Sequence, residues 1–393
     1  SQALCSALLK GGRLDEAIPL VRAYVSSNAE AAASASLQLQ LGEVLLDAER
    51  HDEAILVYQQ YLETFAREGG QAHARMGHGW ALVGVGRYAE AAVAFEKAHD
   101  LFTVPEQRTE SLLKVADARF LNAQFQHAQE LYERFLEEFP GSLHGAEAKF
   151  QLAACLEALG KHEETERAFE RVVEEHPDSP EATEALLRIG ELHHALKEWK
   201  AAEAAFDRVM QRVESGPLFA AALHGRGLAR YQLWSPDALA DFERIGVEYS
   251  SDDVAAHALF MQAMCLYRLG RDAQALAVCH RFLEQYPEST WAPSVRFWIG
   301  RFSYNTGDYV AAEAEFLSFV EQYAKHALAD RAVYRAGLAA VKRKEYVRAI
   351  ELFGRLAKQY PESEWLAGAR FHQADAMCEL GKFAGAILVF EEV

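Results

Sequence analysis

The feature that most constrains this chain is a spacing of 37 residues that recurs from one end of its 393 residues to the other. Stretches such as GRYAEAAVAFEKA (86–98) and GRDAQALAVCHRF (270–282) share one order of small, charged and apolar positions. The only irregular step is 36 residues, between Ala202 and Ala238. A fixed period of roughly 20–50 residues indicates a stack of similar units. The small residues that anchor the eleven repeats are Ala17, Ala54, Ala91, Ala128, Thr165, Ala202, Ala238, Ala275, Ala312, Ala349 and Ala386.

Positions around each anchor predict two helices per repeat. Twelve residues before it, a small residue such as Gly79 or Gly300 allows the first helix to approach the second closely. Four residues after it, one helical turn along the same face, the sequence places a core residue such as Phe95 or Phe316. Between the helices, a glycine such as Gly86 is expected to close the first helix in the left-handed conformation.

The turns between repeats carry a second signal, which is a proline followed two residues later by a serine. We expect the proline to stop the second helix and the serine to cap the next first helix. The seventh repeat differs, because Trp234 and Pro236 replace the glycine of its internal turn, and a local change of turn is expected there. The four matching segments are FPGS (139–142), HPDS (176–179), YPES (286–289) and YPES (360–363).

This pattern resembles the tetratricopeptide repeat family over essentially the full length. The typical repeat has ~34 residues, and the longer turn here is similar to that of bacterial envelope proteins, such as the outer-membrane-assembly lipoprotein and the Tol-Pal coordinator. The resemblance implies an all-α, right-handed superhelical solenoid of about eleven helix-turn-helix repeats, with the first helices lining the concave face. We expect one continuous array over residues 1–393, truncated at both ends, because Ser1 begins inside a helical pattern and Val393 stops midway along a second helix.

Charge and hydropathy exclude some classes of function. The formal net charge is −18, and the excess precedes Cys265, with 24 basic and 42 acidic residues before it and 16 of each from there on. This balance argues against a nucleic-acid partner. No apolar run approaches the ~20 residues of a membrane span. The one basic cluster, which we interpret as a solvated turn rather than a phosphate site, comprises Lys342, Arg343 and Lys344 with Arg331, Arg335 and Arg348.

Motifs for catalysis or metal binding are not found in the sequence. The five cysteines lack CxxC spacing and are interpreted as core residues. The segment HEETE (162–166) lacks the second histidine of a helical zinc site. No GxSxG, GxxxxGK[ST] or strand-associated GxGxxG motif is present. We therefore predict no catalytic residue, no metal and no cofactor.

The resemblance assigns three positions of each first helix to the concave groove, such as Phe297, Arg301 and Tyr304 in the ninth repeat. Between His224 and Tyr334 these positions are rich in aromatic residues and Met, with one Arg, which is a composition favoured at protein interfaces. Phe260 and Phe297 have more core-like spacing. The tyrosines and the arginine carry polar tips that need water or a partner. The predicted groove residues are Trp80, His224, Tyr231, Met264, Tyr267, Arg301, Tyr304 and Tyr334.

The sequence thus predicts a non-catalytic scaffold that binds a protein or peptide in its groove, in a periplasmic or envelope assembly. Capture of chaperone C-termini is not expected, because the matching groove positions lack the required set of Lys, Asn and Arg. The alternative is the superhelical region of a larger envelope enzyme or of a polysaccharide or peptidoglycan secretion machine. In that case a sugar polymer would stack on the same aromatic side chains. A cytoplasmic location is the alternative to the envelope.

Overall fold

A computed structural model describes residues 2–28, 32–66, 69–250 and 254–391. The described residues form 22 α-helices and no strand, so the predicted all-α class is confirmed. None of these helices is both long and apolar enough to cross a membrane. In chain order the helices are α1 Gln2–Lys10, α2 Leu14–Ser27, α3 Ala32–Asp47, α4 His51–Thr64, α5 Gln71–Gly84, α6 Tyr88–Leu101, α7 Pro105–Leu121, α8 Phe125–Glu138, α9 Gly145–Ala158, α10 His162–Glu175, α11 Pro180–Ala195, α12 Trp199–Arg212, α13 Pro217–Gln232, α14 Ala238–Glu248, α15 Val254–Arg268, α16 Asp272–Gln285, α17 Ala292–Asn305, α18 Tyr309–Gln322, α19 Ala329–Lys342, α20 Tyr346–Gln359, α21 Leu366–Glu379 and α22 Phe383–Phe390.

Contacts divide the chain into an N-terminal half, residues 1–189, and a C-terminal half, residues 190–393. In each half, odd-numbered helices are the first and even-numbered helices the second helices of the repeats. Within a half, a second helix packs against its own first helix and against the first helix of the next repeat, as α6 does with α5 and α7, and α18 with α17 and α19. Each half is therefore a helical-repeat solenoid. A single array across both halves, and its handedness, remain predictions.

The predicted core positions are buried as expected, with the exception of Phe390 in the last repeat. Every anchor residue is at most 1% exposed. A Cβ atom added to Gly79 would lie 2.5 Å from Cε1 of Phe95, and one added to Gly300 would lie 2.9 Å from Cδ1 of Phe316. The small residue of the first helix thus contacts the ring four residues after the anchor, as the spacing predicts. Phe390, which holds that position in the last repeat, is 40% exposed.

The left-handed turn between the two helices occurs in all eleven repeats, although only six have glycine there. Gly160 has φ 72°, and Ala123 has φ 56° at the equivalent position. The seventh repeat keeps this cap, with Trp234 at φ 60°. The predicted change comes after the cap. Helix α14 begins at the anchor Ala238 itself and is 11 residues long, whereas the second helices on either side of it, α12 and α16, each have 14 residues.

The cap at Ala123 provides a test of backbone strain. A side chain in the left-handed region costs about 1–2 kcal/mol, which glycine avoids. We expect Ala123→Gly to raise the free energy of unfolding by about 1 kcal/mol and Gly160→Ala to lower it by a similar amount. Urea unfolding followed by circular dichroism measures both. If both substitutions changed the free energy of unfolding in the same direction and by the same amount, the left-handed turn would not be shared by Ala123 and Gly160.

The serine caps were predicted correctly at only one of the four turns. Ser179 Oγ accepts the Ala182 N–H at 3.3 Å, directly before α11. Ser142, Ser289 and Ser363 instead accept the N–H two residues further on, at 3.1–3.2 Å, and the following helix begins three residues after the serine. These three serines stabilise the turn before the helix, because that turn continues past the serine, and the prediction that they are N-caps was wrong.

Candidate protein-binding face

Seven of the eight predicted groove residues lie on the first helices of the C-terminal half. Successive first helices contact one another there, as α13 does with α15, α17 with α19, and α19 with α21. Side chains of neighbouring repeats therefore contact one another within the layer of first helices. We call the surface of α13, α15, α17 and α19 the first-helix face.

Tyr231 is held against a basic residue of the next repeat. The guanidinium carbon of Arg268 lies 3.2 Å from the centre of the Tyr231 ring and 4.2 Å from that of Trp234. Arg268 also donates a hydrogen bond to the carbonyl oxygen of Tyr231. Burial raises the pKa of the Tyr231 hydroxyl. Cation–π contacts of this kind contribute about 0.5–2 kcal/mol each, so they hold the Tyr231 ring in place.

The same arrangement recurs one repeat later. Arg301 Nη2 donates a hydrogen bond of 2.6 Å to Tyr267 Oη. Its guanidinium carbon lies 4.9 Å from the Tyr267 ring centre and 4.5 Å from that of Trp298. The predicted groove residues Tyr267 and Arg301 are therefore direct partners.

Between the ninth and tenth repeats, the described residues form no Tyr–Arg contact of this kind. Burial raises the pKa of Tyr304, and the nearby charge of Arg335 opposes this shift. Tyr334 stacks on Trp365 with ring centres 5.3 Å apart. The two contacting pairs, which we call the Tyr–Arg pairs, are Tyr231–Arg268 and Tyr267–Arg301.

His224 pairs with a histidine of the next repeat. His224 Nε2 lies 2.9 Å from His257 Nδ1, and the His257 ring stacks on Trp291 at 4.3 Å. A cavity of about 260 Å³ borders His224, His194 and Leu228. Burial, followed by the charges of His257 and His194, lowers the pKa of His224 to about 4. A hydrogen bond between two imidazoles requires one ring nitrogen with a lone pair. The bond between His224 and His257 is therefore lost when both rings are protonated.

This histidine pair predicts a loss of stability in mild acid. The folded-state pKa of His224 lies below the unfolded value of about 6.5, so the unfolded chain binds the proton first as pH falls. The contribution of neutral His224 to the free energy of unfolding is present above pH 6.5 and is lost as the pH falls towards 4. Between pH 7 and pH 5 we expect a loss of about 2 kcal/mol from this group. Urea unfolding at both pH values should show that His224→Gln loses less stability than the wild type between pH 7 and pH 5. Equal losses in the two proteins would contradict the assignment.

The remaining predicted groove residues have different surroundings. Met264 is 5% exposed and belongs to the core of the C-terminal half. Trp80 lies in the N-terminal half and is 39% exposed, with Lys114 Nζ 5.4 Å from its ring centre. Phe260 and Phe297 are buried, as their core-like spacing predicted.

Sequence reasoning missed several residues of the first-helix face. Arg268, Arg335, Trp298 and Trp365 lie outside the three positions that the resemblance assigned to the groove. Trp298 and Arg335 occupy equivalent places in the ninth and tenth repeats, each directly after a position assigned to the groove. If this fourth position had also been compared between neighbouring repeats, Trp298 and Arg335 would have been found.

Sites of other kinds were also sought. In the described ranges, no three His, Cys, Asp or Glu side chains are grouped so that they could hold a metal ion. A larger cavity, of about 700 Å³, lies in the N-terminal half beside α10, between glutamates such as Glu163 and Glu174. It contains none of the predicted groove residues.

Comparisons with known proteins identify the repeat. A family model described as YfiO, outer membrane lipoprotein, matches residues 79–214 and 252–374. A tetratricopeptide repeat model matches residues 3–72 and 39–103. No curated protein matches the sequence.

Among solved structures, the C-terminal part of a TPR repeat-containing protein from Cytophaga hutchinsonii shares the fold. It is 14% identical with a TM-score of 0.54, over 65% of this chain and 98% of that one. A tetratricopeptide repeat protein from Parabacteroides merdae is 16% identical with a TM-score of 0.46, over 67% and 97%. The YfiO matches together span more than half of the sequence, and the chain therefore belongs to this outer membrane lipoprotein family of tetratricopeptide-repeat proteins.

Proposed function

We propose that this chain is a non-catalytic scaffold that binds a polypeptide along the first-helix face of its seventh to tenth repeats, in a bacterial envelope assembly. The observation that carries the proposal is the recurrence of Tyr–Arg pairs at two successive repeat junctions. Tyr and Arg are among the residues that contribute most to binding at protein interfaces. Membership of the YfiO family supports the envelope as the location.

The pairs favour a preformed binding surface. Arg268 and Arg301 are each held between two aromatic rings, so little side-chain freedom is lost when a ligand binds. The hydroxyl groups of Tyr304 and Tyr334 form no hydrogen bond within the ranges that the structure describes, and can bond to the backbone of a bound segment.

A sugar polymer is the second candidate ligand, with the chain as a region of a larger envelope enzyme or secretion machine. Stacking on sugars requires a free aromatic face. Guanidinium groups already cover one face of Tyr231 and of Tyr267. The polypeptide is therefore the better supported ligand.

Site-specific crosslinking tests the proposal. The photoreactive residue p-benzoyl-phenylalanine would replace Tyr304 in the full chain, in the source cells, and Val310 in a control. Val310 is on the second helix of the same repeat and is 60% exposed. We expect ultraviolet light to produce a protease-sensitive adduct at position 304 and not at 310, in the envelope fraction.

Two results would overturn the proposal. One is an adduct at position 304 that resists protease and is degraded by glycan hydrolases, which would favour the sugar polymer. The other is the lack of an adduct at 304 under conditions in which 310 reacts, which would place the binding surface on the second helices.

A further inference from the structure

The basic cluster near the tenth repeat is divided in the folded chain. Arg343 and Arg348 both donate to the buried carboxylate of Glu313, each at 2.9 Å. Arg331 and Arg335 lie on α19, in the first-helix face, and do not share this carboxylate. The cluster therefore separates into a neutralised part and a part that keeps its charge.

Arg301, Arg331 and Arg335 form a group of like charges. Burial, followed by the charges of Arg301 and Arg331, lowers the pKa of Arg335. The Nε atoms of Arg331 and Arg335 are buried and have no hydrogen-bond partner in the part of the chain that the structure describes. Among the described residues, no carboxylate oxygen lies within 4.0 Å of these three guanidinium groups. We call these residues the arginine trio.

Aromatic rings orient two of the three arginines. Arg301 lies over Trp298 at 4.5 Å, and Arg331 lies 5.1 Å from the ring centre of Trp365 and 5.7 Å from that of Phe297. Rings that cover a guanidinium face leave its N–H edge available. That edge matches the two oxygens of a carboxylate.

Two other partly buried arginines of this half, Arg226 and Arg230, pair with the carboxylate of Asp241. Arg268 instead donates to a carbonyl oxygen and lies over two rings. The chain has 58 acidic residues, so acids for pairing are abundant. A trio without carboxylates is costly for folding alone, since like charges repel and a buried donor without a partner loses hydration. An acidic ligand would remove both costs.

We propose that Arg301, Arg331 and Arg335 bind the carboxylate side chains of an acidic segment in the polypeptide ligand. The inference rests on the proposed function and specifies its ligand. Tyr267, Tyr304 and Tyr334 contribute apolar surface on either side of the charges, so the segment combines Asp or Glu with neighbouring apolar residues.

Peptide selection tests this with the full chain. A phage-displayed library of short random peptides would be selected on the wild type, on Arg331→Gln/Arg335→Gln, and on Lys200→Gln/Lys358→Gln. Lys200 and Lys358 are exposed and lie on the second helices α12 and α20, so this control loses the same charge from another surface. Fluorescence anisotropy then gives the Kd of the best wild-type peptide and of its Asn/Gln counterpart.

We expect wild-type peptides to be enriched in Asp and Glu. The arginine variant should bind the acidic peptide about tenfold or more weakly, and the lysine variant should bind it normally. The Asn/Gln counterpart should bind weakly to all three proteins. Arg331→Lys/Arg335→Lys, which keeps the charge, should retain the preference for acids at lower affinity, and circular dichroism confirms that each variant is folded.

Other outcomes overturn the inference. Peptides without acidic preference that bind the wild type and the arginine variant equally would refute the trio and leave the proposed function standing. A phosphorylated peptide that binds more tightly than its Glu version and is displaced by inorganic phosphate would replace carboxylate with phosphate. A wild type that selects no peptide would refute the proposed function itself.

Discussion

Asp241→Ala lowers the free energy of unfolding by about 3–5 kcal/mol, the cost of breaking a buried ion pair. Asp241 is 4% exposed and accepts from both Arg226, at 2.6 Å, and Arg230, at 3.0 Å. Arg226 also bonds to Asp207, and Arg230 to Glu203, both on α12. Removing Asp241 leaves two partly buried guanidinium groups with only their peripheral partners.

The position of this ion-pair network in the fold is the reason that a large effect is expected. It joins α12, α13 and α14, where the seventh repeat has one residue fewer and a shortened second helix. Asp241 stands three residues after its anchor, where α12 and α16 have the buried apolar residues Ala205 and Val278. Ion pairs therefore take the place of an apolar contact at this position of the seventh repeat.

Urea unfolding and amide hydrogen exchange measure the prediction. Stability in a repeat protein is local, so the exchange rates should rise most in α12 to α14. Asp207→Ala is the control, since Asp207 is 39% exposed, and an exposed pair contributes about 1 kcal/mol or less. Replacing Asp241, Arg226 and Arg230 together with Leu, Met and Met should restore most of the stability. Equal effects of Asp241→Ala and Asp207→Ala would contradict the account.

The repeat and its helices could be predicted from the sequence because their signals are local. Anchor, small residue and core ring stand at fixed distances within a single repeat, and the helical period sets those distances. The serine caps were predicted less well, because a serine can bond to the second or to the third N–H after it, and both produce similar sequences.

The Tyr–Arg pairs could not be predicted in this way. Arg268 and Arg301 stand at different positions of their first helices, yet each contacts the tyrosine of the preceding repeat. A long side chain reaches the same place from different turns of the helix, so no fixed spacing marks the partner. The pairs depend on how one repeat packs on the next, which is a property of the fold rather than of a single repeat.

The second large effect is expected for Phe206→Ala, a loss of about 3–5 kcal/mol. Phe206 is 2% exposed and lies between the first helices of two repeats, against Gly190 of its own repeat and Gly225 of the next. A Cβ atom on Gly190 would lie 2.6 Å from the ring. Truncation leaves a cavity, and two rigid helix backbones cannot close around it as side chains could.

Phe390 provides the matched control for Phe206, since both stand four residues after their anchors. Phe390 is 40% exposed, and its ring centre lies 5.8 Å from that of Phe371, a residue that is itself exposed. Phe390→Ala removes the same atoms from a site that water already reaches, so we expect a loss of less than about 1 kcal/mol. Urea unfolding of both variants decides between two explanations of the recurring ring. If its role is to fill the space between glycine-bearing helices, only Phe206→Ala destabilises strongly. If helix propensity alone maintains the ring at this position, both variants show the same small change.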